Sequence, residues 1–509
     1  MEATLALNFV AAAALALLPD ALALPRAWLR RSPSALALHV AAMVFICVCV
    51  LLLTGRVRFS AFVAIALVAL LAGVSNAKHA SLQEPFVFTD LSLFSQLFAH
   101  PRLYLPFLSI GTVVAIVIGI AGAIGGFIAD KPVAQKPVGE LVIAAGACLA
   151  AAYVFAARLP LTLNPADDQK RHGFFAVFVA YLLNGMKPAT ARQLRDALAA
   201  GPFTRGVPQT APDVILIQSE SFFDARRLAA SIDRSILKHF DKTRRESVQY
   251  GDLTVPAWGA NTMRTEFAVL TGVDQNQLGY ARFYPYAFVR RACSSLASWF
   301  KHGGYQTLAI HPYYADFFGR KRAFKHLQID RFIDIAAFAD APRAGPYVSD
   351  LAVADSIIAA LDEPRNQPAF IFAMTMENHG PLHLESVKTG EAAAFHALGD
   401  DARWRDLTAY LRHLANADAM LGRLLAALRA RHRDTVLCFY GDHVPALQHV
   451  FVELDYEPAR SDYIIWRNYG DAPAMRKDLS AEQLGLALVR TLEQAVPSET
   501  PARTPHATT

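Results

Sequence analysis

Apolar residues divide the chain in two. Before about residue 158 they gather in five long runs, approximately Leu5 to Leu24, Ala35 to Thr54, Phe59 to Ser75, Leu105 to Ile128 and Val138 to Ala157. A helix needs roughly 20 residues to cross a bilayer, so the pattern predicts a transmembrane domain of about five helices over residues 1–158. The first run lacks the basic start of a signal peptide and is interrupted by Pro19 and Asp20. Between the third and fourth runs, Leu91, Phe94, Leu97 and Phe98 recur at helical spacing, as in a helix lying along a membrane surface.

Beyond residue 158 the pattern changes. Residues 159–211 are mixed, with one short apolar run from Phe174 to Leu183, and read as an interfacial helical linker. From residue 212 onward, strand-like apolar runs (Val214 to Gln218, Thr307 to His311, Ala369 to Thr375, Val436 to Tyr440) alternate with helical stretches such as Val353 to Leu361 and Asp406 to Arg429. Such alternation predicts an α/β domain over residues 212–496, a sheet sandwiched by helices. Residues 497–509, rich in Pro, Thr and Ser, are expected to be a disordered tail.

Composition agrees with this division. The 509 residues are 54% hydrophobic and 18% charged, with a mean hydropathy of +0.26, which fits a membrane part joined to a globular part. The net charge of +5 comes from scattered arginines, so no nucleic-acid partner is expected. Five cysteines show neither a disulfide framework nor metal-type spacing.

The candidate chemistry centres on the stretch from Val255 to Gly272. Gly259 and Asn261 permit a tight turn, and Met263 to Leu270 has helical periodicity, so Thr262 is expected where a loop becomes a helix. Free N–H groups and the helix dipole favour an anion there, although the same residue also serves as a plain helix cap. Two further segments, Asp213 to Asp224 and Thr435 to Pro445, read as buried strands that end in Glu220 and in Asp442-His443. Carboxyl ends of parallel strands converge in space. Glu220, Thr262, Asp442 and His443 are therefore expected to form one oxygen-and-nitrogen set for a divalent cation. His379 follows another strand, Phe370 to Thr375, where an imidazole can donate to a phosphate oxygen or exchange a proton with a leaving group.

Four motifs in this order, Ser-Glu-Ser-Phe (Glu220), Gly-Ala-Asn-Thr-Met-Arg-Thr-Glu-Phe (Thr262), Glu-Asn-His-Gly-Pro (His379) and Gly-Asp-His (Asp442, His443), resemble the lipoteichoic acid synthase and phosphoglycerol transferase family. Its members are membrane proteins of the alkaline phosphatase and sulfatase superfamily. The resemblance implies a sulfatase-like α/β fold, Thr262 as nucleophile, and His379 in contact with substrate. It also implies a substrate pocket of His311, Phe318, Arg320 and Trp258, with Arg320 clamping phosphate. Mn²⁺ is the expected cation, with Mg²⁺ or Zn²⁺ as alternatives. Phosphatidylglycerol is the implied donor, a glycan or glycerophosphate the acceptor, and the lipid bilayer the setting. Phe318 and Tyr313 stand where the synthases have Trp and Asp, so polymer synthesis is not expected.

Orientation is read two ways. With five spans, Arg26, Arg30 and Arg31 would make the catalytic domain cytoplasmic, whereas Arg56 and Arg58 pull the other way. The resemblance places the domain outside the inner membrane, in the periplasm, and that orientation is adopted. Competing activities are a phosphoethanolamine transferase and a sulfatase- or phosphodiesterase-type hydrolase. A sulfatase would carry Cys or Ser where this chain has Thr262.

Overall fold

The computed structural model describes residues 2–28, 30–93, 101 and 110–493. Two units emerge, one formed by Met1–Leu194 with Asn276–Phe288, the other by Arg195–Gln275 with Val289–Thr509. The expected tail, 497–509, lies outside the described residues.

Among the described residues of the first unit, three helices are long and apolar enough to cross a membrane, Pro33–Thr54, Val57–Leu82 and Val138–Arg158, fewer than the five expected. The first expected span is broken into Glu2–Leu15 and Leu17–Ala21. The second piece ends one residue after Asp20. Asp20 is buried, pairs with Arg31 and accepts the Phe175 N–H at 2.6 Å, an arrangement that a continuous lipid-facing helix cannot offer a carboxylate. The fourth expected span is the helix Ile110–Ala129, and 102–109, where the expected run begins, fall outside the described residues. Of the surface helix expected near Leu91, a short 3₁₀ turn, Phe88–Leu93, is described, and Lys78 ties it down through Asp90 at 2.7 Å. Phe94, Leu97 and Phe98 fall outside the described residues. The apolar run at Phe174 forms a helix, Phe174–Gly185, buried on nearly every side within the unit's core.

The second unit is built on a nine-stranded sheet. Its strands are β1 (Asp213–Ser219), β2 (Gln249–Thr254), β3 (Gln306–Ile310), β4 (Arg331–Ile333), β7 (Ala369–Met374), β8 (Thr435–Gly441), β9 (Ser461–Arg467), β10 (Met475–Arg476) and β11 (Leu479–Ser480), while β5 (Arg343–Ala344) and β6 (Tyr347–Val348) form a separate small hairpin. The order is β10-β2-β9-β8-β1-β7-β3-β4, with β11 also on β2. β8, β1, β7, β3 and β4 run parallel, and β9 lies antiparallel between β8 and β2.

The four strands expected from the apolar runs are the central ones. β1, β7 and β8 are buried along their whole length, which is why they read as continuous apolar runs rather than alternating ones. The expected helices appear as Asp350–Asp362 and Arg405–Arg429 and pack into the unit's main core with residues of β1, β7 and β8. A different pair, Thr262–Thr271 and Ala481–Glu493, meets so closely that a Cβ on Gly485 would lie 2.6 Å from the Val269 carbonyl oxygen. β1 and β8 are parallel neighbours, so their carboxyl ends lie side by side at the edge of the sheet where ligands bind in such folds.

Candidate active site

Four segments deliver the site from the carboxyl ends of β1, β8, β7 and β3, and a fifth, after β2, carries Thr262. After β1, Ser221 adopts φ 54 and turns the chain so that Glu220 points inward. Before the helix Thr262–Thr271, Asn261 takes φ 62 and Gly259 φ 67, and Thr262 becomes the first helical residue, as expected. Phe318 has φ 56. Three non-glycine residues in this sparsely populated backbone region flank one pocket, a common property of functional sites.

Glu220, Asp442 and His443 bring one ligand atom each to within 4.8 Å of one another, and all three are buried. His443 Nε2 lies 3.4 Å from Thr262 Oγ1, 3.5 Å from Glu220 Oε1 and 3.4 Å from Asp442 Oδ2. Ligands about 2.1 Å from one ion at tetrahedral angles stand about 3.4 Å apart, so these spacings suit a small divalent cation at their centre. The hydrogen bonds leave the right atoms available. His443 Nδ1 sits 3.0 Å from the Val444 carbonyl oxygen; donation there fixes the tautomer whose Nε2 lone pair faces Thr262. Asp442 Oδ1 accepts the N–H groups of Ser221 and His443, both at 2.8 Å, while Oδ2 is buried without a hydrogen-bond partner. Burial, with Asp442 alongside, pushes the Glu220 carboxyl up to about 8. Two buried carboxylates facing one imidazole lack a matching positive charge, and the donor set fits a divalent cation on that ground too.

Beside these groups is a small pocket whose walls include Thr262, His311, Phe318, Arg320 and His379. Trp258 is not among the residues that line it; its ring stands edge-on to Phe451 with centroids 6.3 Å apart and packs on the core. Arg320, 1% exposed, is gripped by Glu266: its Nε is 3.1 Å from Oε2 and its Nη2 3.0 Å from the same oxygen. Its Nη1 donates to His311 Nε2 at 3.3 Å, and the Phe318 ring lies 5.2 Å from its guanidinium carbon. Burial and Arg320 together hold His311 well below its usual range, so it is neutral. Burial also lowers His379, whose Nδ1 is 2.7 Å from the Gly380 carbonyl oxygen and 3.4 Å from the Tyr347 hydroxyl. With that nitrogen donating, Nε2 is left as an acceptor, and resting His379 is a base rather than an acid.

Glu266 escaped the sequence reading. The signal was present: Glu266 stands four residues after Thr262, on the same face of one helix. Gln218 and Tyr440 extend the network, with Tyr440 donating to Gln218 Oε1 at 2.6 Å. Thr375, just after β7, completes it, its Oγ1 accepting the Glu220 N–H at 3.0 Å.

Comparison with known proteins agrees with this fold. A capsular polysaccharide biosynthesis protein of Rhizobium meliloti, RkpI, is 29% identical over 77% of this chain and 74% of its own length. A putative cyclic beta-1,2-glucan modification protein from the same organism is 29% identical over 58% of this chain and 46% of its own. The integral membrane lipooligosaccharide phosphoethanolamine transferase EptA of Neisseria meningitidis shares the fold, with a TM-score of 0.56 at 13% identity over 89% of this chain and 87% of that one. The sulfatase family model matches residues 212–487, more than half of the chain. Glu220, Thr262, His379, Asp442 and His443 all fall inside that match, and the chain belongs to the sulfatase family.

Proposed function

We propose that this protein is a membrane-bound transferase that moves a phosphoglycerol group from phosphatidylglycerol to a glycan of the cell envelope through a covalent adduct on Thr262. Residues 1–158 serve as its anchor, 159–211 as a linker and 212–496 as a periplasmic catalytic domain. The observation that carries the reading is the Thr262 hydroxyl, 3.4 Å from His443 Nε2 at a helix start and facing a pocket that also holds His311, Arg320 and His379. The two Rhizobium relatives, named for capsular polysaccharide biosynthesis and glucan modification, support a glycan acceptor.

A cation on Glu220, Asp442, His443 and the Thr262 oxygen would supply Lewis acidity to the nucleophile and to a phosphoryl oxygen; Mn²⁺ is our assignment, with Mg²⁺ and Zn²⁺ as alternatives. Arg320, fixed by Glu266, presents positive charge to the donor phosphate. Thr262 Oγ attacks phosphorus, the P–O bond to diacylglycerol breaks, and the threonine proton passes by way of His379 to the departing oxygen. In the second step His379 takes the proton of an acceptor hydroxyl, that oxygen displaces Thr262 from phosphorus, and the proton returns to Thr262. Splitting the transfer lets donor and acceptor use one site in turn.

Incubation of the purified protein with labelled phosphatidylglycerol and Mn²⁺ tests the proposal. A glycerophosphate-mass adduct on the Thr262 peptide, absent in Thr262→Ala, is expected. An ethanolamine-phosphate adduct from phosphatidylethanolamine instead, or no adduct with either lipid, would remove it.

A further inference from the structure

Glu377 and Glu385 flank His379 on the segment that leaves β7, and both reach the same side chain. β7 ends at Met374. His379 follows on a loop whose backbone bonds are local, its own N–H reaching the Met376 carbonyl at 3.2 Å and the Glu385 N–H that of Leu382 at 3.0 Å. Such bonds shape the loop without fixing where it stands relative to the rest of the unit. Buried charges supply that tie.

His413 Nδ1 is 2.9 Å from Glu377 Oε1, and its Nε2 is 2.8 Å from Glu385 Oε2. Ionised carboxylates only accept, so both ring nitrogens donate and the ring is an imidazolium. One side chain thus holds the chain two residues before His379 and six residues after it. Neighbours reinforce each arm. Asn416 Nδ2 donates to Glu377 Oε1 at 2.5 Å, Arg412 Nη2 donates to Glu385 Oε2 at 2.6 Å, and Glu377 Oε2 accepts the Asp350 N–H at 2.7 Å. Arg412, His413 and Asn416 share the helix Arg405–Arg429, which is packed into the unit's main core. The anchor is therefore a rigid element, and the loop is what it holds. From another side Tyr347 donates to the Gly380 carbonyl at 3.3 Å and sets its ring edge-on to His379, with centroids 5.6 Å apart.

Neutralising two buried carboxylates would not require them to bracket His379. We propose that His413 is a positioning residue: its imidazolium staples both flanks of the His379 loop to the helix Arg405–Arg429, so that His379 Nε2 meets the proton it transfers. The proposal rests on the transferase reading above, in which His379 relays protons. A displacement of about 1 Å at such a group costs on the order of 10²-fold in rate, which gives the staple its purpose.

Leaving-group dependence tests it. Diacylglycerol departs as an alkoxide that needs the relayed proton, whereas nitrophenolate departs without one. The rate of Thr262 adduct formation is measured per folded molecule of the full chain in lipid nanodiscs, with phosphatidylglycerol and with the nitrophenyl ester of glycerophosphate. His413→Gln should slow the reaction on the order of 10²-fold with the lipid and no more than about 10-fold with the ester. Glu385→Ala opens one arm, leaves the Glu377–His413 contact, and should show the same bias; it serves where His413→Gln does not fold. Amide exchange over 376–385 is followed in the same samples and should quicken, with that of β8 unchanged. Losses equal for the two substrates, no loss included, or unaltered exchange over 376–385, overturn the proposal. No adduct from either substrate in the natural chain overturns the transferase instead. Exchange then decides the staple by itself, faster exchange in the variants supporting it and unaltered exchange overturning it.

Discussion

Two buried clusters in the catalytic unit use the same residue types and differ in what they leave available. In one, His413 is closed on both sides: Nδ1 is 2.9 Å from Glu377 Oε1 and Nε2 2.8 Å from Glu385 Oε2, with Asn416 and Arg412 donating to the same carboxylates. In the other, His443 commits one nitrogen to a backbone carbonyl and turns the second toward Glu220, Thr262 and an unpartnered oxygen of Asp442. The first cluster neutralises itself and has no lone pair to offer. The second keeps lone pairs that could hold a cation. Two carboxylates and one histidine therefore do not define a metal site; the direction of their remaining lone pairs does.

The comparison can be broken at several points, beginning with the largest effect. Thr262→Ala should lower transfer by about 10³-fold or more while leaving the fold intact, as measured by turnover and melting. An active variant would make Thr262 a helix cap and nothing else. His413→Ala leaves two buried carboxylates without their imidazolium and should cost about 3–5 kcal/mol, read by denaturant unfolding; a cost near zero would mean that the closed cluster is not closed.

Hydrogen ions probe the same cluster more gently. Burial pulls the His413 imidazole down, but hydrogen bonds to Glu377 and Glu385 outweigh it and push the group up to about 9. A raised histidine stabilises the fold fully below its unfolded value near 6.5, and that contribution, on the order of 3 kcal/mol, is lost as pH rises through about 9. Unfolding followed from pH 6 to 10 should show the decline in the natural chain and a flatter profile in His413→Gln. The open cluster should respond to metal instead. A divalent cation at 100 times its dissociation constant should add about 2.7 kcal/mol of stability, and Asp442→Asn should abolish that gain. Asp442→Asn in chelated protein should itself cost about 1 kcal/mol or less, since an asparagine oxygen can still accept from Ser221 and His443; a large loss there would show that Asp442 is structural.

How much of this was legible in the sequence follows from whether each signal is local. β1, β3, β7 and β8 announce themselves because strands buried on both faces are uninterrupted apolar runs. β9 and β2 do not: Ser461 and Asp462 open β9, and Gln249, Gly251 and Asp252 dilute β2 with polar residues. Glu220, Thr262, Asp442 and His443 were readable because each closes a strand or opens a helix. The grip of Glu266 on Arg320 spans 54 residues, and that of Glu377 on His413 spans 36, so neither leaves a mark on local periodicity. Pro19 and Asp20 marked the first apolar run as interrupted, but the partner that lets Asp20 be buried, Arg31, is not a neighbour in any local pattern.

The most direct measurement is anomalous diffraction at the manganese edge from Mn²⁺-soaked crystals of the full chain. The account predicts one peak among Glu220 Oε1, Asp442 Oδ2, His443 Nε2 and Thr262 Oγ1, and none between Glu377 and Glu385. A peak at the His413 cluster, or none beside Thr262, would contradict it.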